Sequence, residues 1–299
     1  MRTHAIDDLV NRFLTPDDRQ TKQIISLGAG SDTRFFRLAA VAGRCPIVYH
    51  ELDFTRNTAQ KISSIRRSSR LMSMIDGSRL TKESDTVSIS EDGTCLYSRE
   101  YNIHAIDLRS LPNLPTSPEA LPNMQSNLPT LLISECCLIY IPPSDADAIL
   151  KYFTTAVFPP HAPLGIIVYE PINPDDAFGR VMVQNLATRG IVLQTLKKYG
   201  SLERQRARLK MLGFSTRQEA GDVEFLWEHW ISREEKERVA KLEMLDEVEE
   251  WKILAQHYCV AFGWRNGSDV DGRLPAFSAW EGLNASSMAN WKHRPIESP

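Results

Sequence analysis

Short apolar runs that stop on a glycine or an acid recur along this chain, and the stretches between them repeat apolar residues every three to four positions. The first rhythm is that of buried strands and the second that of amphipathic helices. Ile6, Leu9, Val10, Phe13 and Leu14 predict a helix over Thr3 to Leu14, stopped by Thr15-Pro16-Asp17-Asp18. A strand follows at Ile24–Leu27, then a helix through Phe35, Phe36, Leu38, Ala39 and Ala42 that Gly43 ends. Ile47–Asp53 reads as a second strand and Phe54 to Ile65 as its crossover helix. Further strands are expected at Tyr101–Asp107, Thr130–Glu135, Leu164–Glu170 and Tyr258–Trp264. Pro142-Pro143-Ser144 opens a helix with Ser144 as N-cap and Ile149, Leu150, Phe153 and Val157 inward. Other helices are predicted around Phe178–Met182, over Ser201 to Leu212 with Gly213 as the stop, and over Glu234 to Leu254, whose inner positions are Val239, Leu242, Leu245 and Val248.

Two stretches break the rhythm. Residues 67–100 are poor in large apolar side chains and read as a surface insertion. It carries a hairpin of Val87-Ser88-Ile89 and Thr94-Cys95-Leu96-Tyr97 around Glu91-Asp92-Gly93. Leu111 to Pro129 holds five prolines and reads as a loop. Residues 1–264 then form one domain with substrate-side helices at about 174–213, and 265–299 form a polar tail in which Trp280 and Trp291 are the docking candidates.

Strands alternating with helices imply an α/β fold with a mostly parallel sheet and helices on both faces. Such sheets bind ligands at the carboxyl ends of their strands. There the first strand runs into Gly28-Ala29-Gly30-Ser31-Asp32-Thr33, where Gly28 and Gly30 allow a tight turn and a close approach to a ligand. Thr33 stands where a dinucleotide fingerprint has its third glycine. Asp53, 25 positions beyond Gly28, ends the second strand, near the ~20 at which these folds place a ribose-binding acid. Asp107 and Glu135 end the next two. Three acids would repel a pyrophosphate but suit a ligand with a sulfonium, an ammonium and a ribose diol, which describes S-adenosylmethionine. A nicotinamide dehydrogenase shares the glycine turn and Asp53 and leaves Asp107 and Glu135 unexplained. The seven histidines show no pair at helical spacing beside a carboxylate, so no metal site is expected, and no Gly-x-Ser-x-Gly elbow is present.

Composition narrows this further. A formal charge of -3 offers no basic surplus for nucleic acid. No apolar run approaches the ~20 residues that span a bilayer. The five cysteines lack zinc-type spacing and fit reduced packing in a cytoplasmic protein.

The motifs Leu27–Thr33, Glu51-Leu52-Asp53-Phe54, Ile106-Asp107-Leu108 and Ile133-Ser134-Glu135-Cys136 resemble those of leucine carboxyl methyltransferases. So do Tyr169-Glu170, Phe178-Gly179-Arg180-Val181-Met182 and Ser201-Leu202-Glu203-Arg204-Gln205. The resemblance covers roughly residues 2 to 264. It implies a class I fold with a seven-stranded sheet and S-adenosylmethionine at the strand ends. It further implies methyl-esterification of the C-terminal leucine of the protein phosphatase 2A catalytic subunit, which regulates holoenzyme assembly. Carried over by position, Arg2 meets the methionine carboxylate, Gly28 the amino-acid part, Asp53 the ribose, Asp107 and Leu108 the adenine, and Glu135 the methionine end, with Gly30 also binding the cofactor. Tyr169, Arg180 and Gln205 are the candidates to orient the substrate tail. Family members carry a further segment before the position of Arg2, so a shortened form is expected; a monomer is expected as well. Two other readings are an inactive phosphatase-binding scaffold and a tRNA-modifying paralogue. The acceptor is a carboxylate already ionised at neutral pH, with a pKa of about 3.5, so no general base is required.

Overall fold

The computed structural model describes residues 1–15, 20–41, 45–75, 87–114, 120–242, 247–267, 274–283 and 285. The expected helix stops at Pro16–Asp18 and Gly43, the inner position Leu245 and the docking candidate Trp291 lie outside them, as does part of the insertion.

In chain order, α1 (Arg2–Leu14), β1 (Lys22–Leu27) and α2 (Arg34–Ala39) are followed by β2 (Ile47–Asp53), α3 (Thr55–Arg66) and α4 (Ser69–Ile75). The hairpin β3 (Ser88–Ile89) and β4 (Leu96–Tyr97) leads into β5 (Tyr101–Ala105) and β6 (Thr130–Glu135). Next come α5 (Pro143–Lys151), β7 (Leu164–Pro171), α6 (Ala177–Thr188), α7 (Leu196–Tyr199) and α8 (Leu202–Met211). The chain continues through β8 (Arg217–Asp222), α9 (Val223–Trp230), α10 (Arg233–Ala240), α11 (Val248–Ala255) and β9 (Tyr258–Arg265).

These strands form one sheet in the order β3-β4-β5-β2-β1-β6-β7-β9-β8. From β5 to β7 all neighbours are parallel, and β9 is antiparallel to both β7 and β8. The seven strands from β5 to β8 carry the site, and the hairpin prolongs their edge: Leu96 of β4 pairs with Ile103 of β5. The hairpin is therefore part of the sheet rather than a surface excursion. Every residue of β1 and β2 is buried, as expected of parallel strands covered on both faces. One core packs α1, α2, α3 and α9 against the sheet, and the other packs α5 and α8 on the opposite face.

Local chemistry sets several boundaries. Side chains of Asp176, Ser201, Asp222 and Ser232 accept backbone N–H groups at the starts of α6, α8, α9 and α10. Ser144 is not a cap: Pro142 occupies that position, and the Ser144 hydroxyl donates to Asp145 instead. The single helix expected over Glu234 to Leu254 is two, α10 and α11, and Val239, Leu242 and Val248 stay exposed. Beyond β9, Phe277 stacks on Phe13 at 5.0 Å and the Trp280 indole donates to the Leu9 carbonyl at 2.9 Å. Part of the stretch assigned to a polar tail thus lies in the core. Phe277 also covers Gly165, where a Cβ would sit 2.4 Å from its ring.

Candidate active site

The carboxyl end of β1 turns through Gly28 and Gly30, with φ of +64° and +51°. Both lie in the left-handed region that glycine adopts without steric cost. At Gly28 space forbids a side chain as well, because a Cβ would stand 2.5 Å from the Cys137 sulfur. Parallel register with β2 brings Asp53 beside this turn. Asp53 Oδ2 accepts from the Gly30 N–H at 2.6 Å, and Oδ1 from the Phe54 N–H at 2.7 Å and from Asn57 Nδ2 at 2.8 Å. A carboxylate offers about four acceptor sites. Three are taken, which fixes the group and leaves capacity for one hydroxyl donor. Asp107 lies on the same cavity of about 420 Å3, together with Gly28, Gly30, Leu108, Cys136, Cys137 and Tyr140. Arg109 forks onto Asp107 and holds its carboxyl below the usual range.

A second cavity of about 310 Å3 shares Gly28 with the first and is lined by Arg2, Asp32, Arg34 and Glu135. Arg34 is 2% exposed and reaches Asp7 at 3.1 Å and Asp32 and Glu135 at 2.8 Å each. Burial alone would lower its pKa, but Tyr49, Asp32 and Glu135 outweigh burial and raise it. Glu135 also pairs with Arg2 Nε at 3.4 Å, and the Arg2 guanidinium lies over the Tyr169 ring. Asp53, Asp107 and Glu135 therefore line two halves of one groove.

The substrate candidates separate. Tyr169 lines a third cavity, of about 380 Å3, beside Arg2 and Cys136. Gln205 is fully buried and donates to Glu170 at 3.3 Å and to the Tyr199 carbonyl at 3.0 Å. Arg208 supports the same Glu170 at 3.2 Å and lies over the Tyr199 ring, whose hydroxyl donates to Asp147 at 2.6 Å. Buried inside this network, Gln205 does not present itself to a substrate tail, which corrects its expected role. Arg180 is exposed on α6, bonds to the Asp175 carbonyl and lines none of these three cavities.

A sequence model of leucine carboxyl methyltransferases matches residues 1–154. Leucine carboxyl methyltransferase 1 of Aspergillus fumigatus is 49% identical over 96% of this chain and 76% of its own length. The Emericella nidulans protein of that name is 50% identical over 96% of this chain and 77% of its own. The chain belongs to the leucine carboxyl methyltransferase family. An Arabidopsis thaliana homolog is 35% identical over 97% of this chain and 82% of its own length. Among solved structures, a Thermobifida fusca protein described as a methyltransferase shares the fold, at a TM-score of 0.50 and 13% identity over 86% of this chain and 78% of its own.

Leucine carboxyl methyltransferases are enzymes, and their methyl donor is S-adenosylmethionine. The residues present fit that donor: a glycine turn that admits no side chain at Gly28, an acid with one acceptor site to spare, and a second half of opposed charges, Arg2 and Glu135. Arg34, Asn57 and Cys137 are among the groove residues that escaped the sequence reading. Arg34 left a trace. A cation in the first turn of a helix opposes the helix dipole, so it signals carboxylates nearby. Cys137 left none, since adjacent cysteines in an apolar stretch read as packing.

Proposed function

We propose that this chain methyl-esterifies the α-carboxylate of the C-terminal leucine of the protein phosphatase 2A catalytic subunit in the cytoplasm. The observation that carries the reading is the pair of cavities joined at Gly28, with Asp53 and Asp107 on one side and Arg2 and Glu135 on the other. In this reading Asp53 takes a ribose hydroxyl, Asp107 and Leu108 the adenine, and Arg2 and Glu135 the charged methionine end. Gly28, which lines both cavities, gives that end access to the backbone. Bound there, S-adenosylmethionine supplies an electrophilic methyl group.

The protein's own part is placement. The acceptor carboxylate arrives ionised, so its proton need not be moved by a side chain. The groove walls align it with the methyl group and strip water from it, and positioning of this kind is worth up to about 7–11 kcal/mol of a barrier. Labelled methyl is expected on the intact phosphatase catalytic subunit and none on the subunit lacking its last leucine. Equal labelling of both would reject the substrate.

A further inference from the structure

A fourth cavity, of about 710 Å3, is larger than the three of the groove and is lined by α2, α3, α4 and residues 30–33. It borders both donor cavities, sharing Gly30 and Asn57 with one and Asp32 and Arg37 with the other. Its apolar walls belong to neither. Phe36 and Ala40 come from the α2 side, Ile65 from α3, and Leu71 and Met74 from α4. The apolar surface continues outward, since Ala40 is exposed and the next residue, Val41, is 59% exposed. Exposed apolar patches of this kind mark interaction sites.

The surface around the cavity is cationic. Phe54 to Ile75 holds Arg56, Lys61, Arg66, Arg67 and Arg70 and no acid, in a chain whose formal charge is -3. Two cations on the lining are already committed. Lys61 pairs with Glu51 and donates to the Asp32 carbonyl at 2.6 Å, and Arg37 forks onto Asp7. Arg70, also on the lining, is exposed, and so are Arg56 and Arg67. Among the described residues none of these three has an acidic partner. Arg56, Gln60 and Arg67 stand at i, i+4 and i+11, which puts them on one stripe of α3, and Gln60 lines the cavity. At 1.5 Å per residue this stripe runs about 16 Å. That is the reach of an extended peptide rather than of a single small ion.

We propose that this surface docks an acidic, extended segment of a protein partner, whose carboxylates meet Arg56, Arg67 and Arg70 while an apolar side chain between them enters the cavity. Clustered arginines are a recurrent means of reading acidic motifs, and a methionine in the wall adapts to the shape that enters. A nucleic acid would find the cations, but its phosphates place nothing apolar against Phe36, Ile65, Leu71 and Met74. The surface is separate from methyl transfer: Arg56, Arg67 and Arg70 line none of the three groove cavities.

The test uses the full chain and fluorescein-labelled dodecapeptides followed by fluorescence anisotropy. One peptide carries glutamates around a central Leu-Phe pair. The second has glutamine for each glutamate, the third has serine for both Leu and Phe, and an oligothymidine of the same length runs beside them. The first is expected to bind at least about tenfold tighter than either control peptide, and to weaken as salt rises past about 0.1 M. Arg67→Glu combined with Arg70→Glu is expected to bring the glutamate and glutamine peptides within about twofold of each other. Ala40→Trp fills the cavity and is expected to do the same for the Leu-Phe and serine peptides. Affinity for S-adenosylhomocysteine, measured by calorimetry, should stay unchanged in both variants and shows that they are folded; Ser64→Trp replaces Ala40→Trp if that variant is not. Equal binding of the glutamate and glutamine peptides by the wild type overturns the proposal. So does a preference for glutamate that survives the double reversal, or a preference for Leu-Phe that survives the filled cavity. Tighter binding of the oligothymidine than of the acidic peptide would also overturn it and make the surface one for nucleic acid.

Discussion

At the scale of single residues, Asp53 and Arg34 do different work with the same chemistry. The Asp53 carboxylate accepts two backbone N–H groups and one amide, so replacing an oxygen by NH2 turns a donor against a donor. An unpaired buried donor costs about 1–3 kcal/mol, and Asp53 is 8% exposed. Asp53→Asn is therefore expected to weaken S-adenosylmethionine binding about 5- to 150-fold in calorimetry. Unchanged affinity would take Asp53 out of the site. Arg34 spans Asp7, Asp32 and Glu135 with three nitrogens in one plane. Lysine keeps the charge but not the fork. Breaking a buried pair on one side costs about 3–5 kcal/mol. Arg34→Met is expected to lower the unfolding free energy by that order in urea, and Arg34→Lys to recover only part of it. Full recovery by lysine would show that charge, rather than the fork, is what these carboxylates need.

At the scale of elements, Trp280 ties the segment after β9 to α1. It is fully buried, meets Phe262 and Trp264 edge-on, and donates to Leu9. Trp280→Ala is expected to cost about 3–5 kcal/mol and to loosen α1, which carries Arg2 into the groove and Asp7 onto Arg34. Thermal unfolding measures the first effect and donor affinity the second. The sequence offered Trp280 as a docking candidate, and it does dock; what it meets was not legible, because a tryptophan among Gly, Ser and Asp residues does not name its partners. The strands β1, β2, β6, β7 and β9 were legible because each is buried on both faces and so is written as an apolar run. β8 was not. Arg217-Gln218-Glu219-Ala220-Gly221-Asp222 lies at the sheet edge, and Arg217 pairs with Glu219 along the strand. α9 was missed because eight residues are too few to separate a helix from a strand by period. The strand-end acids of the site could be read because topology alone places them. Gln205 could not be placed correctly, since its burial depends on Glu170 and Arg208, which come from a strand and a helix face far apart in sequence.

At the scale of the whole molecule, buried titratable groups of opposite tendency set the response to acid. His50 Nδ1 and His104 Nε2 lie 3.0 Å apart between β2 and β5, so one ring donates and the other accepts, and both are neutral. Burial pushes His50 well below the ordinary histidine range, with His104 adding to it, and burial takes His104 to about 4. Below about pH 6.5 the unfolded chain binds protons at these positions and the folded chain does not. Stability is therefore lost as pH falls toward 4, by about 3 kcal/mol for a shift the size of that at His104. Glu51 acts in the other direction. Burial raises it to about 7 against the pull of Lys61, so between about pH 4.5 and 7 the folded chain holds the extra proton and gains stability as pH falls. Burial raises Glu170 as well, so between pH 7 and pH 5 two buried glutamates oppose the two buried histidines. Glu51→Gln removes one of the two opposing contributions, so between pH 7 and pH 5 the urea midpoint is expected to fall further, or rise less, than in the wild type. A change in midpoint that Glu51→Gln leaves unaltered would mean that Glu51 is ionised throughout this range, paired with Lys61 strongly enough to overcome its burial.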